Sequence, residues 1–91
     1  MMKNAIITVV GKDRVGIIAA VCIKLADFNV NVLDISQTIL QGSFTMIMAV
    51  DVSLSTVSFS KLAEELAALG NEMGLSIHIQ REEIFEAMHT V

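Results

Sequence analysis

The residue types best suited to binding chemistry lie in one six-residue loop, Gly11 to Gly16. The loop reads GKDRVG, so Lys12, Asp13 and Arg14 stand between two glycines. It joins an apolar segment to an amphipathic one and leads directly into a helix N-terminus. We expect any ligand of this chain to bind at this loop. Two plainer interpretations are a simple connecting loop and a solvated Asp13–Arg14 ion pair, which contributes little to stability.

The other reactive side chains form no recognisable catalytic or metal-binding pattern. His78 and His89 lie eleven residues apart, and Cys22 falls on an apolar helical stripe, so no zinc-ligand spacing is present. His78 is expected on the outer face of a strand. No serine, histidine and acid are arranged to activate a nucleophile. The sequence therefore predicts no catalytic residue, no metal and no cofactor.

The chain has 91 residues, of which 54% are hydrophobic, and this length predicts a single domain over residues 1–91. Its longest apolar run, Val15 to Ile23, is interrupted by Gly16 and falls far short of the roughly 20 residues that a membrane span needs. The first residues, MMKNAIITVV, contain no cleavage site of small residues, so we expect no signal peptide. Together with the single Cys22, this favours a reducing cytoplasm.

The net charge of −4 arises entirely in residues 58–91, where six acidic residues outnumber two basic ones. Such an acidic end repels nucleic acid and anionic membranes. RNA binding on a sheet also requires aromatic side chains for base stacking. The only aromatic residue on a predicted strand is Phe44, and its parity points inward. We therefore expect neither nucleic acid nor membrane as a partner.

The segments around the loop predict a strand and then a helix. Ala5 to Val10 is almost entirely β-branched, which is typical of a central strand, and Gly11 is expected to end it. Ile23 lies off the apolar side of the helix that follows, which hints at a second contact surface. Asn29 and Asn31 bracket the end of this helix. The apolar stripe of the helix consists of Ile18, Val21, Cys22, Leu25 and Phe28.

The second half predicts a hairpin, a helix, a strand and a short tail. Val32 to Leu40 alternates, with Leu33, Ile35 and Ile39 expected on a buried face, and Gln41-Gly42 is the expected two-residue hairpin turn. The second strand of the hairpin carries Phe44, Met46, Met48 and Val50, and the helix after it carries Phe59, Leu62, Leu66, Leu69 and Met73. Thr56 and Ser58 are candidate N-caps and Gly74 is the candidate C-cap. The last strand carries Leu75, Ile77 and Ile79, and Glu82 to His89 has the spacing of two helical turns.

This order, βαββαβ, predicts an α+β fold of the ferredoxin-like type over residues 1–80, with residues 81–91 as a C-terminal helical tail. Right-handed crossovers and one hairpin give an antiparallel sheet in the order 4-1-3-2, with both helices on one face. The loop and Asn31 then lie at opposite ends of the first helix. One chain cannot easily place Asp13 and Asn31 on the same small ligand, whereas two chains related by a twofold axis can.

The segments GKDRVGI and NVNVLDISQ resemble the ACT domain, a βαββαβ module of amino-acid metabolism. The family's pattern, G-x-[DN]-[RK]-x-G-[IVL] followed by an asparagine that opens the second strand, is matched by Gly11, Asp13, Arg14, Gly16, Ile17 and Asn31. The spacing of 18 residues from Asp13 to Asn31 also agrees. More closely, DRVGI, NVNVLDISQT and SIHIQRE resemble small bacterial proteins made of a single ACT domain, which in turn resemble the halves of the glycine-cleavage-system repressor.

The resemblance implies a homodimer in which an amino acid lies between the loop of one chain and the asparagine of the other. It implies that the N–H groups of Gly16 and Ile17 bind the ligand carboxylate, that Asp13 binds the ammonium group and that Asn31 of the second chain bridges to either. The sequence departs from the family's usual residues at two positions. Val15 stands where many members have proline, and Asp13 replaces the asparagine of serine-binding members. The implied site consists of Gly11, Lys12, Asp13, Arg14, Val15, Gly16, Ile17 and Asn31.

Three functions compete at this point. The first is a homodimeric sensor of an amino acid or another small metabolite, which passes its signal to a partner protein. The second is a protein-interaction module whose open sheet face and C-terminal helix bind another protein, with a vestigial ligand site. The third is an enzyme of the acylphosphatase type, for which Arg14 and Asn31 are the only candidate groups and in which Asp13 would repel the phosphate. The first function is the one we adopt, without catalysis.

Overall fold

The structure, a computed structural model, describes residues 3–82. The predicted C-terminal helix therefore lies outside the described residues, apart from its first residue, Glu82. The described chain contains four strands and two helices in the predicted order. Their bounds are β1 (Asn4–Lys12), α1 (Ile17–Asp27), β2 (Asn31–Leu40), β3 (Ser43–Asp51), α2 (Phe59–Met73) and β4 (Leu75–Arg81).

The four strands form one antiparallel sheet in the order β2-β3-β1-β4, which is the predicted order 4-1-3-2 read from the other edge. β1 and β3 are central, and β2 and β4 are the two edges. The inward side chains of the sheet and the apolar sides of α1 and α2 form one cluster, so both helices cover the same face. The ferredoxin-like α+β fold is confirmed.

The core consists of strand residues of alternate parity together with one stripe from each helix. β1 shows the alternation most clearly, because Ala5, Ile7 and Val9 are fully buried while the residues between them are not. This is the pattern of a central strand with one face against helices. The buried core residues are Ala5, Ile7, Val9, Ile17, Val21, Leu25, Val30, Phe44, Met46, Met48, Val50, Leu62, Leu66, Leu75 and Ile77.

The first strand is longer than predicted. Gly11 does not end it, because β1 continues to Lys12 and Gly11 pairs with Phe44 on one side and Leu75 on the other. A Cβ at Gly11 would lie 2.5 Å from Cδ2 of Leu75. Glycine is therefore compatible with the strand here because it leaves room for the Leu75 side chain.

The hairpin between β2 and β3 has the predicted two-residue turn. Gln41 and Gly42 both have positive φ, 52° and 81°, as a type I′ turn requires. The register shifts between Val32 and Asp34, so the expected parity of β2 fails at Leu33, whereas it holds for Ile35 and Ile39. This bulge turns Val32 toward the core and takes Leu33 out of the alternation.

The expectation that Leu33, Ile35 and Ile39 form a buried face is also wrong. Ile35 and Ile39 stand opposite the buried Met48 and Phe44, so they face the helix side of the sheet. They are nevertheless exposed, as is all of β2 except Val32. The physical reason is that β2 is an edge strand and α1 is too short to cover it fully.

The two ends of α2 are closed as predicted. The Ser58 hydroxyl accepts a hydrogen bond from the Lys61 N–H, at 3.1 Å between Oγ and N, and Gly74 ends the helix with φ of 70°. Gly70 was not singled out in the sequence, yet it is buried against β4. A Cβ at Gly70 would lie 2.6 Å from the Leu75 carbonyl oxygen, so α2 approaches β4 closely only because this residue has no side chain.

The side of the sheet that faces away from the helices is called the open face below. Its central residues are the outward positions of β1, with their register partners on β3 and β4. These residues are Asn4, Ile6, Thr8 and Val10 on β1, Thr45, Ile47, Ala49 and Asp51 on β3, and Ser76, His78 and Gln80 on β4.

Candidate functional site

The loop between β1 and α1 is attached to two other parts of the fold. The N–H of Asp13 donates to the Gly42 carbonyl, at 2.8 Å between N and O, which ties the loop to the tip of the hairpin. The Arg14 guanidinium donates from Nη1 to the Met73 carbonyl, at 3.3 Å, which ties it to the end of α2. Within residues 3–82, the Arg14 guanidinium thus bonds to the Met73 carbonyl rather than to the Asp13 carboxylate.

The N-terminus of α1 is open. Gly16 is the N-cap residue, with φ of 90° and ψ of 5°, and no side chain within residues 3–82 caps this end. The first helical bond runs from the Ala20 N–H to the Gly16 carbonyl, at 2.9 Å, so the N–H groups of the first turn have no acceptor within the helix. The first turn also contains no acidic residue. An anion at this position would meet free donors and the positive end of the helix dipole.

A cavity of about 300 Å³ adjoins this open helix end. Its polar lining residues belong to the loop and, in the case of Gln37, to β2, and its apolar lining residues belong to α1, β2 and β3. The cavity thus lies between an acidic residue, the first turn of α1 and an apolar wall, and pockets of this mainly apolar kind with a few polar groups suit small molecules. The lining residues are Asp13, Arg14, Gly16, Ile17, Ile18, Ala19, Gln37, Ile39 and Phe44.

Gln37 and Ile39 were not predicted as site residues. Gln37 pairs with Met46 in the register, so it faces the helix side of the sheet. Simple alternation gives Gln37 the parity of Ile35 and Ile39. A polar residue on an otherwise apolar strand face was therefore the signal that could have identified it.

Asn31 lies at the other end of α1, where β2 begins and Asn31 pairs with Asp51. It lines a different cavity, of about 310 Å³, together with Ala26, Asn29, Val30, Asp51 and Leu54. The eleven residues of α1 separate the two places by about 16 Å along the helix axis. Within one chain, the structure therefore does not bring Asn31 together with the loop residues.

The surroundings of Asn31 are ordered by hydrogen bonds between side chains and the backbone. Asn29 adopts φ of 60° and donates from Nδ2 to the Leu54 carbonyl at 3.0 Å. The Asp51 carboxylate accepts from the N–H of Ser53 at 2.9 Å and from the N–H of Lys3 at 3.3 Å. The hydrogen bonds from Ser53 are the main reason that the pKa of Asp51 lies below its ordinary value. Asp51 therefore holds a fixed negative charge next to Asn31.

The remaining predicted site residues are placed as follows. Lys12 is the last residue of β1, is exposed and pairs with Ser43. Gly11 lies inside β1 against Leu75. Ile17 is buried, so it offers its backbone N–H rather than its side chain. Val15 is 98% exposed at the outer corner of the loop.

Val15 belongs to a larger apolar area, called the α1–β2 surface below. Its side chains come from the loop, from the outer side of α1 and from the edge strand β2. Ile23 is 63% exposed and Ile39 is 54% exposed. Large apolar side chains that cluster in this way mark an interaction surface. The surface comprises Val15, Ile23, Ile35 and Ile39.

The side chains considered for catalysis or metal binding do not converge. His78 lies on the open face, as predicted, and its Nε2 is 2.9 Å from Oγ of Ser76. Arg14 and Asn31, the two groups required by an acylphosphatase-type reaction, line different cavities. Within residues 3–82 no cluster of His, Cys, Asp or Glu could hold a metal ion. In the same part of the chain, no helix has the length and apolar character needed to cross a membrane.

The strand order defines a ferredoxin-like α+β module in which the uncapped N-terminus of α1 adjoins a small cavity beside the β1–α1 loop. More specifically, the chain belongs to the ACT domain family, whose family model matches residues 3–80. Relatives of nearly the same length include a UPF0237 protein from Clostridium acetobutylicum, 58% identical over 97% of this chain and 99% of the relative. A UPF0237 protein from Listeria monocytogenes is 54% identical over 94% of this chain and 97% of the relative.

Solved structures agree with this assignment. The ACT domain protein from Streptococcus pneumoniae superposes with a TM-score of 0.81, at 43% identity, over 94% of this chain and 97% of that one. A protein assigned as a glycine cleavage system transcriptional repressor gives a TM-score of 0.72 at 26% identity, over 89% of this chain and 46% of that one. The resemblance to such repressor halves is confirmed. Family and neighbours together support a regulatory ligand-binding module.

Proposed function

We propose that this chain is a regulatory module that binds an amino acid or a related small metabolite between two copies of itself. The observation that carries the proposal is the open N-terminus of α1 at Gly16, which faces a cavity that also contains Asp13. The second helix within residues 3–82 shows the contrast, because Ser58 caps its N-terminus. We place the protein in the cytoplasm, where its single cysteine, the free Cys22, stays reduced.

The geometry suggests how a zwitterion would sit in the site. The first-turn N–H groups of α1, including that of Ile17, would donate to its carboxylate. The Asp13 carboxylate is exposed and forms no ion pair within residues 3–82, so it remains available for the ammonium group. Ile39 and Phe44 would contact the ligand side chain, and the Gln37 amide would hydrogen-bond to a polar atom on it.

A second copy of the chain would supply the asparagine that the loop lacks within a single chain. Asn31 lies too far from the loop of its own chain, but a twofold axis beside α1 and β2 would bring it to the loop of the partner. The α1–β2 surface supports this pairing, because Ile23 of α1 and Ile39, on the helix side of β2, are exposed apolar side chains. Burying them between copies would remove their contact with water and stabilise the dimer.

A thermal-shift screen over the amino acids, followed by calorimetry on the best ligand, tests the binding proposal. Selective binding raises the free energy of unfolding by RT ln(1 + [L]/Kd), which is about 2.7 kcal/mol at a hundredfold excess over Kd. Gly16→Val is expected to abolish this shift. If the variant binds the ligand with unchanged affinity, the loop is not the site.

Mixed dimers test the cross-chain geometry separately. Gly16→Val damages the loop of one chain, and Asn31→Ala damages the contribution of the other. In a dimer with one copy of each, both defects fall in the same site, so the second site is intact. We expect half of the wild-type stoichiometry by calorimetry. A mixed dimer without any binding would show that loop and asparagine act within one chain.

A protein-interaction module is the second candidate function. The observation in its favour is the open face, where Val10 is 45% exposed and Ile47 is 40% exposed. This alternative predicts that Val10→Glu abolishes the cellular function while Gly16→Val leaves it intact. The binding proposal predicts the reverse result for Gly16→Val.

A further inference from the structure

The cavity around Asn31 also contains an acidic side chain, that of Asp51. Asn31 and Asp51 are partners in the register of β2 and β3, and the Cα atoms of such partners in an antiparallel sheet lie about 4.5–5.5 Å apart. Both residues line the same cavity of about 310 Å³. A ligand site that Asn31 helps to form therefore has the Asp51 carboxylate beside it.

The Asp51 carboxylate is ionised at neutral pH, because hydrogen bonds from Ser53 lower its pKa. Its Oδ1 accepts from two backbone N–H groups, those of Ser53 and Lys3. No lysine or arginine side chain within residues 3–82 forms an ion pair with it. Since a carboxylate can accept about four hydrogen bonds, Asp51 retains the capacity to bind a cation.

The end of α1 adds to the negative potential of this cavity. Ala26, in the last turn of α1, and Val30, just after the helix, line the cavity together with Asp51. The C-terminal end of a helix is the negative end of its dipole and favours cations. The two ends of α1 thus favour opposite charges, an anion at Gly16 and a cation beside Asn31.

The twofold pairing of the proposed function, on which this inference rests, brings the Asn31 cavity of one chain to the β1–α1 loop of the other. The joined site then contains the carboxylates of Asp13 and Asp51 and the guanidinium of Arg14. Lys12, the other cation of the loop, does not line the cavity. A bound ligand carboxylate adds one more negative charge. A ligand with one ammonium group leaves one negative charge unbalanced, whereas a second ammonium group balances it.

We propose that the ligand is a dibasic amino acid, with one carboxylate and two ammonium groups. The loop of one chain binds the carboxylate and the α-ammonium group, and Asp51 of the other chain binds the side-chain ammonium group. Asp51 thereby determines the specificity, because hydrogen bonds between ionised groups are roughly twice as strong as those between neutral groups. A neutral side chain of the same length leaves Asp51 without a cation.

Calorimetry with two matched pairs of ligands tests the proposal on the wild-type protein. Lysine and norleucine share one carbon skeleton, as do ornithine and norvaline, and the members of each pair differ in the side-chain ammonium group. We expect at least one dibasic ligand to bind about tenfold more tightly than its neutral counterpart, with a ratio that falls as salt is added.

The outcomes separate this inference from the proposed function. Neutral ligands that bind as tightly as the dibasic ones in both pairs would overturn the inference and leave the amino-acid site in place. The same holds if the protein binds other amino acids but none of these four. A protein that binds no amino acid would overturn the proposed function together with the inference.

Asp51→Asn tests the role of the carboxylate. The variant should bind both members of each pair with similar affinity, and the ratio is taken within one protein, so a change in stability does not enter it. Glu72→Gln removes the same charge from an exposed position on α2 and should keep the wild-type ratio. A preference for the dibasic ligand that persists in Asp51→Asn, or that disappears equally in Glu72→Gln, would overturn the inference.

A mixed dimer shows which chain supplies the carboxylate. With Gly16→Val in one chain and Asp51→Asn in the other, the proposed arrangement places both defects in one site. The second site keeps an intact loop opposite an intact Asp51, so it should show the full preference for the dibasic ligand. Loss of that preference, or of all binding, would place Asp51 beside the loop of its own chain and overturn the inference.

Discussion

The Arg14 guanidinium donates a hydrogen bond to the Met73 carbonyl, with Nη1 and O 3.3 Å apart. Met73 is the last residue of α2, so the positive charge of Arg14 also meets the negative end of that helix dipole. The bond joins the β1–α1 loop to an element 59 residues further along the chain.

Arg14→Ala should therefore loosen the loop without unfolding the domain. Because the bond is exposed, we expect a loss of about 1 kcal/mol or less in the free energy of unfolding. Urea denaturation measures the loss, and amide hydrogen exchange should become faster at residues 13–16. Lys12→Ala, at a neighbouring exposed position, is the control; equal effects of the two substitutions would show that the contact with Met73 does not hold the loop.

Gly16→Val and Gly74→Val form a matched pair. Both glycines have positive φ, 90° and 70°, and open space around the position of a Cβ, so each substitution should cost about 1–3 kcal/mol through backbone strain alone. Only Gly16→Val should abolish amino-acid binding in calorimetry, because only Gly16 lies at the open end of α1. Loss of binding in both variants would indicate that reduced stability, rather than the loop, is responsible.

Ile39→Glu should separate the proposed dimer into monomers. Its side chain lies on the α1–β2 surface, where a buried carboxylate would be unpaired. Sedimentation equilibrium measures the dimer dissociation constant. Val10→Glu places the same charge on the open face and should leave the dimer intact. A dimer that resists Ile39→Glu but separates with Val10→Glu would place the contact on the open face.

Gly70→Ala and Gly11→Ala compare two close approaches to Leu75. A Cβ at Gly70 would meet the rigid backbone carbonyl, whereas a Cβ at Gly11 would meet the end of a side chain that can rotate. We expect Gly70→Ala to destabilise the fold by about 1–3 kcal/mol, even though alanine gains up to about 1 kcal/mol of helix propensity. Urea denaturation should show a smaller loss for Gly11→Ala. A Gly70→Ala protein more stable than wild type would contradict the close packing of α2 on β4.

Asp51→Asn tests the charge beside Asn31. The pKa of Asp51 is lowered in the folded state, so its carboxylate stabilises the fold above the unfolded pKa of about 3.9. This stabilisation is lost as the pH falls through the lower, folded pKa. Asp51→Asn should therefore be less stable than wild type at pH 7, and the difference should shrink below about pH 4. A difference that stays constant over this range in denaturation curves would assign the effect to packing.

The sequence was sufficient for the fold because local signals and the strand pattern agree. Ser58 and Gly74 are caps in the structure, as their residue types predicted, and Gln41-Gly42 is the hairpin turn. The end of β1 could not be predicted in the same way. Gly11 looks like a strand terminator in sequence, but pairing with strands on both sides carries β1 past it.

The candidate site was only partly accessible from sequence. The loop residues stand out through their glycines and charges, whereas Gln37 and Ile39 join them only through the packing of α1 on the sheet. The exposure of Leu33 was likewise not accessible, because a bulge arises from pairing between strands and has no reliable local signal. The exposure of Ile35 and Ile39 likewise follows from the short α1 and the edge position of β2.

The hydrogen bond from the Asp13 N–H to the Gly42 carbonyl links the β1–α1 loop to the tip of the hairpin. A displacement of the Asp13 backbone that preserves this bond moves the tip with it, and Leu40 and Ile39 follow because they lie next to the turn. A movement of the loop is thus transmitted to the edge strand β2 through this bond, and the buried core residues need not rearrange. The turn at Gln41-Gly42 therefore couples the position of the edge strand β2 to that of the β1–α1 loop.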